Sequence, residues 1–163
     1  MIRSATVSDA PAICTIYNHY IAHTVITFEE ETLPESEMAR RIEATLVSLP
    51  WLVWEEAGEV LGYAYAGGWK TRSAYRFAAE STVYLRHDAT GRGIGGKLYA
   101  RLIDDLREAG FHCVIGGVAL PNEASQRLHE NAGFRKVAHF EQVGWKFGRW
   151  IDVGYWELML SAA

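Results

Sequence analysis

The sequence predicts one α/β domain, in which helices flank a mixed sheet. Its length of 163 residues suits one compact domain. Apolar residues with helical spacing alternate with strand-like runs along the chain, and no repeat or Pro/Ser-rich linker divides it. We therefore expect a single domain over residues 1–163, large enough to hold a core without a disulfide or a metal.

The composition excludes several classes of protein. Acidic residues outnumber basic ones by 20 to 16, and the net charge of −4 argues against a general binder of nucleic acid or of anionic membranes. No apolar run approaches the ~18 residues of a membrane-spanning helix, and the first residues lack the apolar core of a signal peptide. We expect a soluble, cytoplasmic protein without nucleic-acid or membrane partners.

The two cysteines, Cys14 and Cys113, each lie within an apolar pattern. We interpret them as small buried hydrophobic side chains in a reducing compartment. No spacing of Cys and His residues resembles a zinc site, so the sequence predicts no metal.

The first part of the chain predicts two helices. Ser8 can cap the first, whose apolar residues from 10 to 21 follow the i, i+3, i+4 rule. Pro34 can open the second, whose apolar stripe runs from 38 to 49. Pro50 then stops the helical pattern.

The middle of the chain predicts a β-hairpin and a third strand. Two apolar runs, 51–54 and 60–65, are joined by a short turn at Ala57-Gly58. A loop over 67–75 separates this hairpin from the third run, 81–85.

The second half of the chain continues with alternating helices and strands. Apolar residues four apart predict a long helix that begins at Ile94 and ends at Gly110. After it we expect a buried strand at 113–115, a helix over 122–132, and two final β runs at 137–146 and 151–160 that turn at Gly148.

A glycine-rich turn at 91–97 lies between a predicted strand and the long helix. Free backbone N–H groups at such a place can bind an anion. The turn matches a dinucleotide motif, but that fold also needs an acidic residue about 20 positions on, and 111–120 contains none. It also matches part of an NTPase phosphate loop, but Leu98 replaces the Ser or Thr that binds Mg²⁺.

Two interpretations of the turn remain. One is a turn without a ligand, although four glycines in six residues cost backbone entropy that such a turn rarely needs. The other is a cradle for the pyrophosphate of coenzyme A. Four cations between positions 86 and 101 face one carboxylate, a local charge of +3 that would attract phosphates, unless they form an ordinary solvated helix face.

Three motifs together resemble the GNAT superfamily of acetyl-CoA-dependent N-acetyltransferases. They are Val83-Tyr84-Leu85, Gly93-Ile94-Gly95, and a helix that carries Asn122, Ser125, Leu128, His129, Gly133 and Phe134. Further segments at 14–21, 50–53, 65–70, 79–84 and 146–156 resemble the phosphinothricin N-acetyltransferases within that superfamily. The resemblance spans roughly residues 3–160 and implies a mixed, mostly antiparallel, twisted sheet flanked by helices.

The resemblance also implies acetyl-CoA as co-substrate. The strand at 83–85 would bind the pantetheine arm through its backbone, the glycine turn would bind the pyrophosphate, and Asn122 would contact the cofactor near the thioester. Thr90 departs from the usual Gln or Arg at the start of the turn. The implied cofactor residues are Val83, Tyr84, Leu85, Gly91, Arg92, Gly93, Ile94, Gly95, Gly96 and Asn122.

Direct acetyl transfer to an amine needs a base for the ammonium, a donor for the oxyanion and a proton for the thiolate. Glu80 could be an exposed edge-strand residue, but its apolar surroundings would raise its pKa, and the resemblance makes it the general base. His129 could be a packed helix residue, and the resemblance gives it a shared acid–base role. Which of the two takes the proton stays open. The Val83 backbone N–H is the implied oxyanion donor.

The acceptor pocket is expected around the loop 69–75, which offers two cations and two aromatic rings. Arginine can bind a carboxylate or phosphinate through two parallel hydrogen bonds, although a solvent-facing basic loop would look the same. The resemblance implies a homodimer with sites near the subunit interface. It implies the substrate residues Phe28, Tyr65, Lys70, Arg72 and Tyr75, and with less support Lys146 and Val153.

The expected function is acetylation of the α-amine of a small glutamate-like amino acid such as phosphinothricin. The nearest alternatives are methionine sulfoximine and methionine sulfone, which differ in shape by an amount worth ~1–3 kcal/mol per methyl group. A second hypothesis is acetylation of a protein N-terminus or lysine, which needs no anion clamp. A third is an acyl-CoA sensor without turnover, for which Glu80 and His129 would be dispensable.

Overall fold

A seven-stranded sheet organises the computed structural model, which describes residues 1–160. The last three residues of the expected domain lie outside the described part. The strands are β1 (Ile2–Ser4), β2 (Trp51–Glu56), β3 (Glu59–Gly68), β4 (Ala78–Leu85), β5 (Cys113–Leu120), β6 (Arg135–Lys146) and β7 (Arg149–Met159). The helices are α1 (Ala10–His23), α2 (Glu35–Leu46), α3 (Ile94–Glu108) and α4 (Glu123–Asn131). The expectation of a mixed α/β fold is confirmed.

The order of strands in the sheet is β1-β2-β3-β4-β5-β7-β6, and β4–β5 is the parallel pair in it. That pair is short, because the register covers residues 78–80 of β4 against 113–115 of β5 and stops at Glu80. Beyond this point β4 stays paired with β3, and β5 with β7. The two central strands therefore separate and leave a cleft between them.

The helices cover both faces of the sheet. Alternate residues of a strand point to opposite faces, and Leu52 packs in the cluster with α3 whereas Val53 packs in the cluster with α1 and α2. Leu128 of α4 packs against the α3 cluster. The cleft therefore has α3 and α4 on one face of the sheet and α1, α2 and the loop between them on the other.

Two hairpin turns follow the prediction. Ala57 and Gly58 have φ of 52° and 81°, and Phe147 and Gly148 have φ of 52° and 71°. Positive φ at both central residues is the conformation that matches the twist of the flanking strands, and it favours glycine at one of them. The predicted turns at Ala57-Gly58 and Gly148 are confirmed.

The start of α1 differs from the prediction. Ser8 lies in a single 3₁₀ turn, and Asp9 is the residue that precedes the helix. The Asp9 carboxylate accepts the Thr6 N–H at 2.8 Å and forms an ion pair with Arg3 at 2.7 Å, which fixes the bend in the chain one residue later than Ser8 would. The long-range partner Arg3 could not be read from local spacing.

Sequence analysis missed one strand and predicted others too short. β3 extends to Gly68, into the predicted loop 67–75, and β4 begins at Ala78 rather than at Ser81. The three residues of β1 are too few to show alternation. β5 extends to Leu120, five residues past the predicted end, because Gly116 and Gly117 interrupt the apolar pattern but stay extended and pair with Trp156 and Tyr155.

Both cysteines are free thiols, but only Cys14 is buried, and Cys113 at the start of β5 is half-exposed. The prediction of two buried thiols is therefore wrong for Cys113. Among residues 1–160, no helix combines the length and apolarity needed to cross a bilayer, and the longest, α3, has 15 residues.

Candidate active site

Two neighbouring cavities occupy the cleft between β4 and β5. The acceptor cavity, of about 400 Å³, extends from Glu80 to the loop that joins α1 and α2. The glycine-turn cavity, of about 350 Å³, extends from Leu85 to the turn before α3. Both are lined by Ile26, Val83, Tyr84, Asn122 and Ser125. The two cavities therefore adjoin at these five residues, and we call the pair, which extends from the turn to Glu80, the channel.

The glycine turn has the geometry of an anion site. Gly91 and Gly93 adopt left-handed φ of 74° and 75°, and Gly93 is the residue that caps the N-terminus of α3. The first N–H groups of a helix have no acceptor within the helix, so they can bind phosphate oxygens. A Cβ on Gly91, Gly93 or Gly96 would meet no atom within 4 Å, so packing does not explain these glycines, and positive φ explains Gly91 and Gly93.

The cations expected beside the turn are mostly paired with carboxylates. Arg92 forms two hydrogen bonds of 2.8 Å with Glu56, and Arg101 is paired with Asp105 at 2.7 Å. Arg86 is also paired, with Glu59 and Asp88. The local excess of +3 counted along the sequence is therefore reduced in the fold, because the β2–β3 hairpin brings its own acids to the turn.

Two implied cofactor residues contribute less than the resemblance suggests. The Ile94 side chain is buried in the core at 2% exposure, so only its backbone can face an anion. The Leu85 carbonyl accepts a hydrogen bond from the Tyr20 hydroxyl at 2.6 Å. Leu85 and Tyr20 still line the glycine-turn cavity, where Tyr20 is a residue that sequence reasoning missed.

Asn122 caps α4 and lies where the two cavities meet. Its Oδ1 accepts the Ser125 N–H at 3.1 Å, so the side-chain oxygen is used by the helix. The amide N–H groups are the donors that it can still offer to a ligand.

Glu80 is half-buried at the point where β4 and β5 separate. Burial raises the pKa of its carboxyl group, and the positive charge of Lys70 opposes that rise. In residues 1–160 no donor forms a hydrogen bond with this carboxylate, so its oxygens are free to accept a proton from a ligand in the acceptor cavity. The expected environment of a general base is present, although the role itself stays a prediction.

His129 is 4% exposed and takes part in a buried chain of hydrogen bonds. Its Nδ1 lies 2.7 Å from the Ser125 carbonyl and its Nε2 lies 2.9 Å from the Tyr99 hydroxyl. The Tyr99 hydroxyl also bonds to the Ser81 Oγ. Because a carbonyl can only accept, Nδ1 carries the proton, Nε2 accepts from Tyr99, and Tyr99 accepts from Ser81.

This arrangement keeps the His129 ring neutral, since burial lowers its pKa. It also means that His129 cannot exchange a proton directly with a ligand, the role that the resemblance implied. Nε2 is occupied by Tyr99 rather than free, so a proton that leaves or reaches the ring passes through the Tyr99 hydroxyl. Tyr99, Ser81 and His129 all border the acceptor cavity. Sequence analysis did not indicate a role for Ser81 or Tyr99, which lie within a strand and an apolar helix stripe.

The glycine pair in β5 is the sequence signal for this contact. A Cβ on Gly116 would lie 2.2 Å from the His129 Nε2 and 3.3 Å from the Tyr99 hydroxyl. Glycine inside a strand often marks the close approach of another group. Gly116 therefore provides the space in which the histidine and the tyrosine meet.

The residues expected to bind the substrate divide into two groups. Phe28 and Val153 line the acceptor cavity, together with Ile26, Val143 and Tyr155, which the sequence did not indicate. The others do not line it: Tyr65, Lys70, Arg72, Tyr75 and Lys146.

Each residue of the second group has a different position. The Tyr65 ring stacks on the Trp51 ring with centroids 4.2 Å apart. Arg72 and Tyr75 lie exposed on the segment between β3 and β4, as does Lys70, whose ammonium stacks on Trp69. Lys146 is buried and donates to a backbone carbonyl in the loop between α1 and α2. Of the expected anion clamp, Arg72 therefore does not line the acceptor cavity of its own chain, and Lys70 acts there only through its charge on Glu80.

Among residues 1–160, no cluster of three or more His, Cys, Asp and Glu side chains is arranged to hold a metal ion.

Comparisons with known proteins agree with this geometry. A family model described as an acetyltransferase (GNAT) domain matches residues 2–154. A phosphinothricin N-acetyltransferase of Streptomyces viridochromogenes is 41% identical over 96% of this chain and 85% of the relative. An L-methionine sulfoximine/L-methionine sulfone acetyltransferase of Salmonella typhimurium is 41% identical over 98% of this chain and 94% of the relative. An acetyltransferase structure from Salmonella typhimurium, solved with its cofactor acetyl-CoA, has a TM-score of 0.96 and 40% identity, and covers 100% of this chain and 95% of that one.

Substitution of Gly116 by alanine tests the packing around His129. The new Cβ would overlap the imidazole, and a shift of the ring would break its hydrogen bonds to Ser125 and Tyr99, so we expect the free energy of unfolding to fall by about 1–3 kcal/mol. Gly68→Ala in β3 is the control, because its Cβ meets no atom within 4 Å. Urea denaturation of both variants measures the difference, and equal stability of the two would contradict the close contact.

Proposed function

This chain belongs to the GNAT family of acetyltransferases, and we propose that it transfers acetyl from acetyl-CoA to the α-amine of a small glutamate-like amino acid. The observation that carries this proposal is the position of Glu80 at the inner end of the channel, where an acid with a raised pKa and free oxygens faces the acceptor cavity. An incoming ammonium at this place can lose its proton to the carboxylate.

The cofactor side of the channel fits acetyl-CoA. The helix N-terminus at Gly93 offers unpaired N–H groups to the pyrophosphate. Beyond Glu80, one edge of β4 has no strand partner, so the backbone of Val83 and Tyr84 is free to bond to the amides of the pantetheine arm. A thioester bound in this way would end beside Glu80 and the oxyanion donor that we assign to the Val83 N–H.

The chain Ser81–Tyr99–His129 is suited to supply the proton for the departing thiolate. The Tyr99 hydroxyl borders the cavity and can give its proton to the thiolate. The phenolate left behind keeps the hydrogen bond from Ser81 and regains a proton from solvent after the product leaves, because the neutral imidazole carries its one proton on Nδ1 and has none to give at Nε2. In this scheme Glu80 takes the proton from the amine, and the hydrogen-bonded chain Ser81–Tyr99–His129 protonates the sulfur. Of the two candidates for the acceptor of the ammonium proton, Glu80 and His129, we therefore propose Glu80.

The acceptor cavity needs a cation that one chain does not place there. Its walls near Phe28, Val143, Val153 and Tyr155 are apolar or aromatic, and none of the residues of a single chain that line it is a lysine or arginine. An anionic amino acid requires a counter-charge. We therefore propose a homodimer in which Arg72 of one chain reaches the acceptor cavity of the other, while Lys70 stays near Glu80 of its own chain, on which its charge acts.

Exposed apolar side chains support association of two copies. Several large ones lie together along β6, β7 and the turn between them, which is unusual for a free surface. They are Val137, Phe140, Val143, Trp145, Phe147 and Trp150.

Methionine sulfoximine and methionine sulfone are the second candidates for the acceptor. The relative that acts on them by name is as similar to this chain as the phosphinothricin enzyme. All are small amino acids with a tetrahedral side-chain centre, which the apolar wall at Phe28 and Val153 can contact. We place the enzyme in the cytoplasm, where acetyl-CoA is available, and expect acetylation of phosphinothricin to give herbicide resistance.

Release of free thiol from acetyl-CoA across a panel of amines tests the acceptor. We expect phosphinothricin to give the highest kcat/KM, followed by methionine sulfoximine and methionine sulfone, with N-terminal peptides and lysine peptides slower because a cavity of about 400 Å³ suits a free amino acid better than a peptide. A higher kcat/KM for methionine sulfone would replace phosphinothricin by the second candidate. Peptides that react faster than free amino acids would overturn the proposed function.

Substitution of Glu80 by glutamine tests the general base. Because the base must be ionised and its pKa is raised, the rate should fall as the pH decreases through a value above the usual ~4.3 of glutamate, and stability is not involved. In Glu80→Gln we expect more than ~10²-fold loss of kcat, loss of that acidic limb, and unchanged acetyl-CoA binding. The control Glu123→Gln, at an exposed residue of α4, should behave as wild type. An acidic limb that persists in Glu80→Gln would assign the base to another group.

Mixing of two inactive variants tests the shared site. Arg72→Ala lacks the proposed clamp and Glu80→Gln lacks the base, so each alone should be slow. If the clamp comes from the partner, a refolded equal mixture contains heterodimers with one intact site, and about a quarter of the wild-type rate should return. A mixture that forms dimers but recovers no activity would show that the clamp does not act across the interface.

A further inference from the structure

A buried lysine on β6 has no part in the proposed chemistry. Lys146 is 1% exposed, and its ammonium donates a hydrogen bond of 2.9 Å to the Thr27 carbonyl. Burial lowers the pKa of this ammonium, and the charge of Glu30 favours its protonation. The resemblance places Lys146 among the substrate residues, but its side chain does not line the acceptor cavity.

The burial of the Lys146 ammonium must be offset by an interaction that the lysine makes. Burial of a charged group is costly unless it is paired, whereas methionine or leucine would fill similar space at no such cost. The interaction that the lysine gains is with a backbone carbonyl of another segment. The contact therefore points to a need to hold that segment.

The segment is the acceptor loop, residues 24–34, which joins α1 to α2. Its residues Ile26, Thr27 and Phe28 line the acceptor cavity. On the helix side, the loop is held by Tyr17, whose hydroxyl bonds to the Thr27 Oγ1 at 2.8 Å, and by Asn18, which bonds to Leu33. On the sheet side, Lys146 bonds to the same Thr27 through its carbonyl.

A second point of approach lies on the same face of β6. Gly144 is two residues from Lys146, so both residues lie on the face of β6 that is turned toward the acceptor loop. A Cβ on Gly144 would lie 2.4 Å from the Phe28 ring. The strand therefore contacts the loop twice, by close packing under Phe28 and by a hydrogen bond to Thr27.

We propose that Lys146 is a positioning residue that holds the acceptor loop against β6 and so fixes Phe28 as the wall that selects the acceptor side chain. The lysine acts through Thr27 and Phe28 and does not touch the substrate. This inference rests on the proposed function, since it requires an amine in the acceptor cavity.

A direct role for Lys146 predicts a different result. If its ammonium bound the carboxylate of the acceptor, its removal would matter only for acceptors that carry that carboxylate. If it holds the loop, its removal should affect an amino acid and its carboxamide to the same degree. The effect should instead depend on the side chain that contacts Phe28.

Lys146→Met keeps the length of the side chain and removes the donor. We expect the KM for the amino acid to rise roughly tenfold, the preference among acceptor side chains to weaken, and the KM for acetyl-CoA and kcat to stay within about twofold. Lys146→Gln retains an N–H donor and should recover part of the effect. Lys136→Met, an exposed lysine on the same strand, is the control and should be unchanged.

Gly144→Ala displaces Phe28 by a different route and leaves Lys146 in place. It therefore tests the acceptor loop even if Lys146→Met does not fold. It should raise the acceptor KM selectively, and the double variant should be less impaired than the product of the two single effects, because both displace one loop. Independent effects, an equal rise in the KM for acetyl-CoA, or an effect confined to carboxylate acceptors would overturn the proposal.

The wild-type enzyme separates this proposal from the proposed function. If it acetylates no amino acid of the panel, the function fails, and the variants are then compared on the amine that it does acetylate. If it acetylates amino acids and Lys146→Met behaves like Lys136→Met, the positioning role alone fails.

Discussion

The active site depends on one interruption of the sheet, the separation of β4 from β5 after Glu80. Up to this residue the strands are paired, and beyond it β4 keeps β3 and β5 keeps β7 as partners. Backbone N–H and C=O groups in a protein interior need partners, so the free edge at Val83 and Tyr84 is stable only beside water or a ligand that carries amides. The same interruption therefore opens the channel and supplies the groups that line it.

Burial at the inner end of this channel brings two acid–base groups closer in proton affinity. Desolvation disfavours the charged form of each, which raises the pKa of Glu80 and lowers the pKa of His129. A carboxylate of ordinary pKa is a poor base for an ammonium, and a charged imidazole could not accept the Tyr99 proton. Gly116 makes this environment possible, because any larger residue would occupy the place of the imidazole.

The sequence predicted those features that are encoded by neighbouring residues. The glycine turn, the start of a helix near Asn122, the two hairpin turns and most helix bounds depend on spacing over a few positions. The partner of Arg92, the contact of Tyr99 with His129 and the bond of Lys146 to Thr27 join residues 30 or more positions apart. Such contacts depend on how strands and helices pack, so local periodicity carries no signal for them except a glycine such as Gly116 or Gly144 that leaves room.

This difference in sequence distance also separates the two halves of the site. The proposed cofactor half is built mainly from the continuous segment 83–96, in which we assign binding to the backbone rather than to the side chains. The acceptor half combines the loop 24–34 with β6 and β7, which meet only through tertiary contacts such as that of Phe28 with Gly144. A substitution in the loop or on β6 can therefore alter the acceptor without moving Glu80 or the turn. This arrangement explains how enzymes of one family can share a cofactor and yet differ in the amine that they acetylate.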